Sequence, residues 1–120
     1  YSKEFRQLVQ DITGCGDLTE RTDLSCNAYS KGCHLLCHDD VIGTRCISFI
    51  IYITDPETEW TSQDGGGLEL FPLAPEGDIC LSADDNIQGI PAAIPTKVIL
   101  PTFNTMALFV VQPGYVLISC

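Results

Sequence analysis

The stretch Ile47-Ser48-Phe49-Ile50-Ile51-Tyr52-Ile53 decides the fold class. Alternation along an extended chain sends residues 47, 49, 51 and 53 to one face, all of them Ile or Phe. Residues 48, 50 and 52 go to the other, where Ser, Ile and Tyr mix polar with apolar. One greasy face and one half-greasy face predict a central strand covered on both sides, with the Tyr52 phenol turned toward a polar cavity.

Outward from this strand the period stays short. The pattern predicts further strands near Leu24–Tyr29, His34–His38, Leu68–Phe71, Lys97–Leu100, Met106–Val111 and Tyr115–Ser119, with the central one over Cys46–Thr54. Turn-rich segments such as Asp64-Gly65-Gly66-Gly67 and Gln112-Pro113-Gly114 divide them. Only the beginning of the chain reads as helix. Phe5, Leu8, Val9 and Ile12 fall at i, i+3, i+4 and i+7, Ser2 stands where a cap is needed, and Gly14 ends the run. The expectation is a mainly β chain of the sandwich or jelly-roll kind with one short N-terminal helix. It forms one domain over residues 1–120, with an acidic Pro/Gly-rich surface loop over 72–95. The chain starts at Tyr1 and ends an apolar run at Cys120, so both ends read as cut from something longer.

Six Lys and Arg against sixteen Asp and Glu leave a net charge of −10. Phosphate backbones and anionic lipid surfaces repel such a chain, which argues against direct nucleic-acid or membrane binding and for a basic protein partner. No apolar run approaches the length of a membrane span, and no leader-like start is present, which predicts a soluble, unexported protein. Seven cysteines is an odd number, so the expectation is buried free thiols in a reducing compartment rather than a disulfide framework.

Chemistry concentrates just before the central strand, in Gly32-Cys33-His34-Leu35-Leu36-Cys37-His38-Asp39-Asp40-Val41-Ile42-Gly43-Thr44-Arg45, which holds both histidines of the chain. Three readings compete. His38 and Asp40, two apart on one extended edge, can present an imidazole and a carboxylate together, as in the 2-His-1-carboxylate facial triad of non-haem Fe(II) sites. Alternatively Cys33, His34, Cys37 and His38 hold a structural zinc, although their spacing is tight and no second ligand pair follows at zinc-finger distance. Most plainly, the histidines are ordinary strand residues and Asp39 and Asp40 open a turn that Gly43 completes. His34 is poorly placed to join His38 on one ion, because four extended residues separate their Cα atoms by about 13 Å.

The order Leu35-Leu36-Cys37-His38-Asp39-Asp40, Gly43-Thr44-Arg45, Ile47–Ile53, Trp60, Asp64-Gly65-Gly66-Gly67-Leu68-Glu69-Leu70-Phe71 and Phe103-Asn104-Thr105-Met106-Ala107-Leu108-Phe109 resembles the eukaryotic prolyl 3,4-dihydroxylase family. These are 2-oxoglutarate oxygenases that modify a small-subunit ribosomal protein. The resemblance implies a double-stranded β-helix, incomplete at its C-terminus, with Fe(II) on His38 and Asp40 and with 2-oxoglutarate hydrogen-bonded to Tyr52. It implies oxidative decarboxylation of that co-substrate to succinate coupled to hydroxylation of a prolyl residue, with ascorbate as an accessory reductant. It also implies a basic ribosomal protein as partner and a cytoplasmic or nuclear location.

The resemblance departs at the end of the chain. After the Pro113-Gly114 turn the family carries its second iron histidine, then an arginine for the co-substrate carboxylate. Here Ile118 stands about where the histidine belongs, and the arginine has no counterpart. Arg45 falls in the family's pair of basic residues before the long strand and is not assigned that role. The implied activity is therefore an impaired one, and the alternative is a non-catalytic acidic binding module on the same scaffold.

Overall fold

A computed structural model describes residues 2–74 and 91–111 and the backbone of 115–119. Helix α1, Lys3–Thr13, begins where the Ser2 side chain accepts a hydrogen bond from the Phe5 amide at 3.2 Å. It ends where Gly14, at φ 66°, takes the left-handed conformation and returns its N–H to the Gln10 carbonyl. Of its apolar stripe only Val9 is buried, while Leu8 and Ile12 remain exposed.

Six strands follow: β1 Leu35–His38, β2 Ile47–Tyr52, β3 Leu68–Pro72, β4 Lys97–Ile99, β5 Thr105–Val110 and β6 Tyr115–Ser119. They form a four-stranded sheet in the order β1-β6-β3-β4 and a two-stranded sheet of β2 and β5, with antiparallel pairing throughout. The architecture is thus mainly β with one short helix, and the described strands do not close into a barrel. Buried apolar side chains come from both sheets, Leu68 and Phe71 of β3 and Ala107 of β5. Gly65 and Gly66, at φ 73° and 69°, provide the left-handed turn that feeds β3.

Three expectations are corrected. Leu24–Tyr29 is not a strand: every residue there is exposed and has no strand partner, so its β-prone side chains have no surface to pack against. Among the described residues β2 is not a central strand, because it pairs with β5 alone. Its mixed face is the better covered one, with Ser48 buried and Tyr52 half-buried, while Ile51 of the all-apolar face is 48% exposed. The cysteines are free as expected at 15, 26, 33, 37 and 46, yet Cys26, Cys33 and Cys46 are exposed and the other two half-buried. Cys80 and Cys120 lie outside the described residues.

The predicted 72–95 loop begins and ends in structure. Pro72 closes β3, Leu73 bridges Pro91, and the Ala92 amide donates to the Pro72 carbonyl at 2.9 Å. Residues 75–90 of that loop lie outside the described residues. Among the described residues no helix is long and apolar enough to cross a membrane.

Candidate metal centre

The chain leaves the four-stranded sheet at His38, the last residue of β1, and enters the two-stranded sheet at Ile47. The connection between them carries Asp40 and Arg45. The candidate site therefore sits where the backbone crosses from one sheet to the other. Asp40 lies beyond the end of the strand, and its carboxylate reaches the imidazole from a loop rather than along a common strand edge.

The pairing register of β1 with β6 shifts between Leu35 and His38, which marks an irregularity in β1. His38 turns back within it, and Nδ1 lies 2.8 Å from the Leu36 carbonyl oxygen. A carbonyl only accepts, so Nδ1 carries the proton and donates it. That leaves Nε2 facing Asp40, whose Oδ1 is 3.5 Å away. Arg45 Nη1 stands 3.6 Å from the same oxygen.

These contacts shape the titration of both groups. The hydrogen bond from His38 holds the Asp40 carboxyl below its ordinary range, against the opposing effect of burial, with Ser48 and Arg45 adding to the same shift. The carboxylate in turn raises the His38 pKa, aided by the Leu36 carbonyl. Tyr52 lies on the same face of β2 as Ser48, and burial pushes its phenol upward. Its hydroxyl is buried and has no hydrogen-bond partner among the described residues.

A divalent ion fits this arrangement in three respects. One imidazole nitrogen and one carboxylate oxygen form a donor set suited to ferrous iron. Their 3.5 Å separation can be spanned by one ion with donor bonds of about 2.1 Å. The tie from Nδ1 to a backbone carbonyl is the outer contact that usually orients a metal-bound histidine. Tyr52 adds an orphaned buried hydroxyl, a group that costs free energy until a ligand or water satisfies it.

His38 and Asp40 are thus brought together, though not along the common strand edge that their spacing predicts. The zinc reading does not survive: among the described residues no three His, Cys, Asp or Glu side chains gather as a metal-binding group, and His34 is exposed ahead of β1. The Cα partner of His38 across the ladder is Leu117, whereas Ile118 pairs with Glu69 on the other side of β6. Sequence reasoning missed Ser48 and the Leu36 carbonyl. A serine in phase with Tyr52 on the mixed face was the available signal for the first, but no side-chain pattern announces the direction of a carbonyl.

Comparison with known proteins bears on the remaining readings. The family model described as the 2OG-Fe(II) oxygenase superfamily matches residues 24–119, a span that contains both candidate ligands and all six strands. The chain belongs to this superfamily. It is 48% identical over 114 residues to a prolyl 3,4-dihydroxylase of Ostreococcus tauri, covering 95% of this chain and 20% of that protein. It is 35% identical over 111 residues to a prolyl 3-hydroxylase of Xenopus laevis, covering 92% of this chain and 18% of that one. The corresponding values for a prolyl 3-hydroxylase of Mus musculus are 32% over 111 residues, 92% and 17%. The chain therefore spans about a fifth of the length of these curated relatives. Membership in an Fe(II)- and 2-oxoglutarate-dependent superfamily favours the iron reading of the His38–Asp40 pair over the plain turn.

Proposed function

We propose that this chain carries the iron- and co-substrate-binding part of a 2-oxoglutarate-dependent prolyl hydroxylase. His38 Nε2 and Asp40 hold Fe(II), and the Tyr52 hydroxyl binds 2-oxoglutarate. The observation that carries the reading is the convergence of His38 and Asp40 at 3.5 Å, with the histidine tautomer fixed by the Leu36 carbonyl. The unsatisfied Tyr52 hydroxyl and the names of the relatives support it. The two sheets are read as parts of a double-stranded β-helix, the fold implied by the superfamily.

Iron with 2-oxoglutarate supplies the oxidising chemistry when bound. The protein's own residues orient it. His38 offers Nε2 only in its neutral form, Asp40 offers a carboxylate kept ionised by its neighbours, and the half-buried Tyr52 provides a hydrogen bond away from water. The net charge of −10 suits a prolyl substrate within a basic protein, here taken to be one of the small ribosomal subunit, because opposite charge speeds encounter and disfavours wrong partners. A cytoplasmic or nuclear location goes with that substrate.

Within these 120 residues the only other histidine is His34, and the positions facing or near His38 on β6 are Leu117 and Ile118. With two protein donors instead of three, the segment is expected to bind iron weakly and to hydroxylate slowly. Incubation with Fe(II), ascorbate, 2-oxoglutarate and a prolyl peptide from a basic ribosomal protein tests this, with succinate and hydroxyproline as readouts. Weak metal-dependent succinate formation that is lost in His38→Ala is the expected result. Rapid turnover would refute the impairment, and turnover unchanged in His38→Ala would refute the site. The acidic surface favours a second reading, a non-catalytic module for basic proteins, which predicts salt-sensitive peptide binding indifferent to metal and 2-oxoglutarate.

A further inference from the structure

The connection that joins the two sheets contains two turns, and both bear on Asp40. The Val41 amide donates to Asp39 Oδ1 at 3.3 Å, which closes a turn around Asp40 itself. The Arg45 amide then donates to the Ile42 carbonyl at 3.0 Å, across a turn in which Gly43 takes φ 56°. Next to Arg45, the Cys46 carbonyl accepts from the Val111 amide at 2.8 Å and so carries the β2–β5 pairing one residue beyond Ile47 and Val110. Arg45 is therefore held on both sides, by its own turn and by a neighbour tied to the other sheet. From that base its guanidinium reaches back to Asp40, with Nη1 3.6 Å from Oδ1. The carboxylate it meets is 19% exposed and lies beyond the end of β1, where no ladder hydrogen bonds fix its backbone.

We propose that Arg45 is a positioning residue for the metal-binding carboxylate: anchored just ahead of β2, its guanidinium keeps Asp40 Oδ1 turned toward His38. At 3.6 Å the contact is an ion pair rather than a hydrogen bond, so it acts through charge, and a part-buried pair is screened less by salt than a fully exposed one. Arg45 and His38 need not compete for the carboxylate, because an ionised one has about four acceptor sites. A metal takes the neutral form of His38, which leaves Arg45 as the positive side chain beside Oδ1. A guanidinium keeps its proton throughout. The same charge also repels a divalent ion, so the direction in which its removal moves metal affinity separates positioning from repulsion. This assignment rests on the reading of His38 and Asp40 as metal ligands.

The test is a Mn(II) titration of the full chain, followed by the loss of the free-ion electron paramagnetic resonance signal, for wild type, Arg45→Gln and Arg45→Lys at low and high salt. Arg45→Gln removes the charge and is expected to weaken Mn(II) binding by about tenfold, the lower end of the range for loss of an outer contact to a ligand. Its difference from wild type is expected to narrow in high salt. Arg45→Lys, which keeps the charge, is expected to retain most of the affinity. Circular dichroism without metal checks that each variant is folded, and Arg45→Met replaces the glutamine if that variant unfolds. If wild type binds Mn(II) and Arg45→Gln or Arg45→Met binds equally well, the positioning role is refuted while the metal site stands. Tighter binding by either variant refutes it too, and shows that Arg45 chiefly repels the ion. If Arg45→Lys is as weak as the glutamine variant, the charge is not the cause and the proposal also fails. If wild type shows no binding, the metal reading falls and takes the role of Arg45 with it.

Discussion

Asp40 Oδ1 lies 3.5 Å from His38 Nε2, and the other ring nitrogen of that histidine donates to the carbonyl of Leu36, two residues back in the same strand. The imidazole is thus gripped at one end by backbone and presented at the other to a carboxylate. Without metal the two side chains act as an ion pair. With metal, the proton on Nε2 must leave.

The ion pair makes the stability of the metal-free protein depend on pH within a definite window. The His38 pKa is raised on folding, so its contribution is fully present below the unfolded value of ~6.5 and is lost as pH rises through the folded one. The Asp40 pKa is depressed, so its contribution is fully present above ~3.9 and is lost as pH falls through the folded value. The difference in melting temperature between wild type and His38→Ala, measured in EDTA, is expected to be largest between about pH 4 and 6.5 and to shrink on either side. A difference independent of pH would show that the pair is not ionised in the folded state. Both side chains touch solvent, so the effect is small.

Tyr52→Phe is expected to act in opposite directions on stability and on ligand binding. It removes a buried hydroxyl that has no partner, so the unliganded protein gains about 1 kcal/mol or stays level in a urea melt. The same change removes the proposed hydrogen bond to 2-oxoglutarate and should weaken its binding by about tenfold in calorimetry with Mn(II) present. A loss of stability would mean that the hydroxyl already has a partner in the folded protein.

Leu68 lies at the centre of the four-stranded sheet, 3% exposed, and its backbone pairs with Ser119 on one side and Ile99 on the other. Leu68→Ala leaves a cavity and is expected to cost roughly 2–5 kcal/mol. Against a total stability of about 5–15 kcal/mol that is a large share. Chemical denaturation checks it, and a cost under about 1 kcal/mol would contradict the placement of the core at β3.

Much of this architecture is legible in the residues, and the exceptions share a cause. Ser2 and Gly14 frame α1 because caps act over one turn of chain. Five of the six strands start within a residue of their predicted positions, and the sixth, β6, matches throughout, because alternation is local. The burial of β2 is inverted relative to its hydropathy because which face is covered depends on what packs there, and that is settled by distant strands. Leu24–Tyr29 has strand-like residues but finds no partner for the same reason. At the site, the His-x-Asp spacing reveals both side chains at once. The tautomer of His38 depends on an irregularity in β1 and on the Leu36 carbonyl within it, and neither leaves a spacing to read.

The central claim, that His38 and Asp40 converge on one divalent ion, is tested most directly by paramagnetic broadening in NMR spectra of the chain titrated with substoichiometric Mn(II). Signals of His38 and Asp40 should broaden first, and that selectivity should vanish in His38→Ala. Broadening spread evenly over exposed carboxylates such as Asp55, Glu57 and Glu59, with His38 left sharp, would contradict the claim.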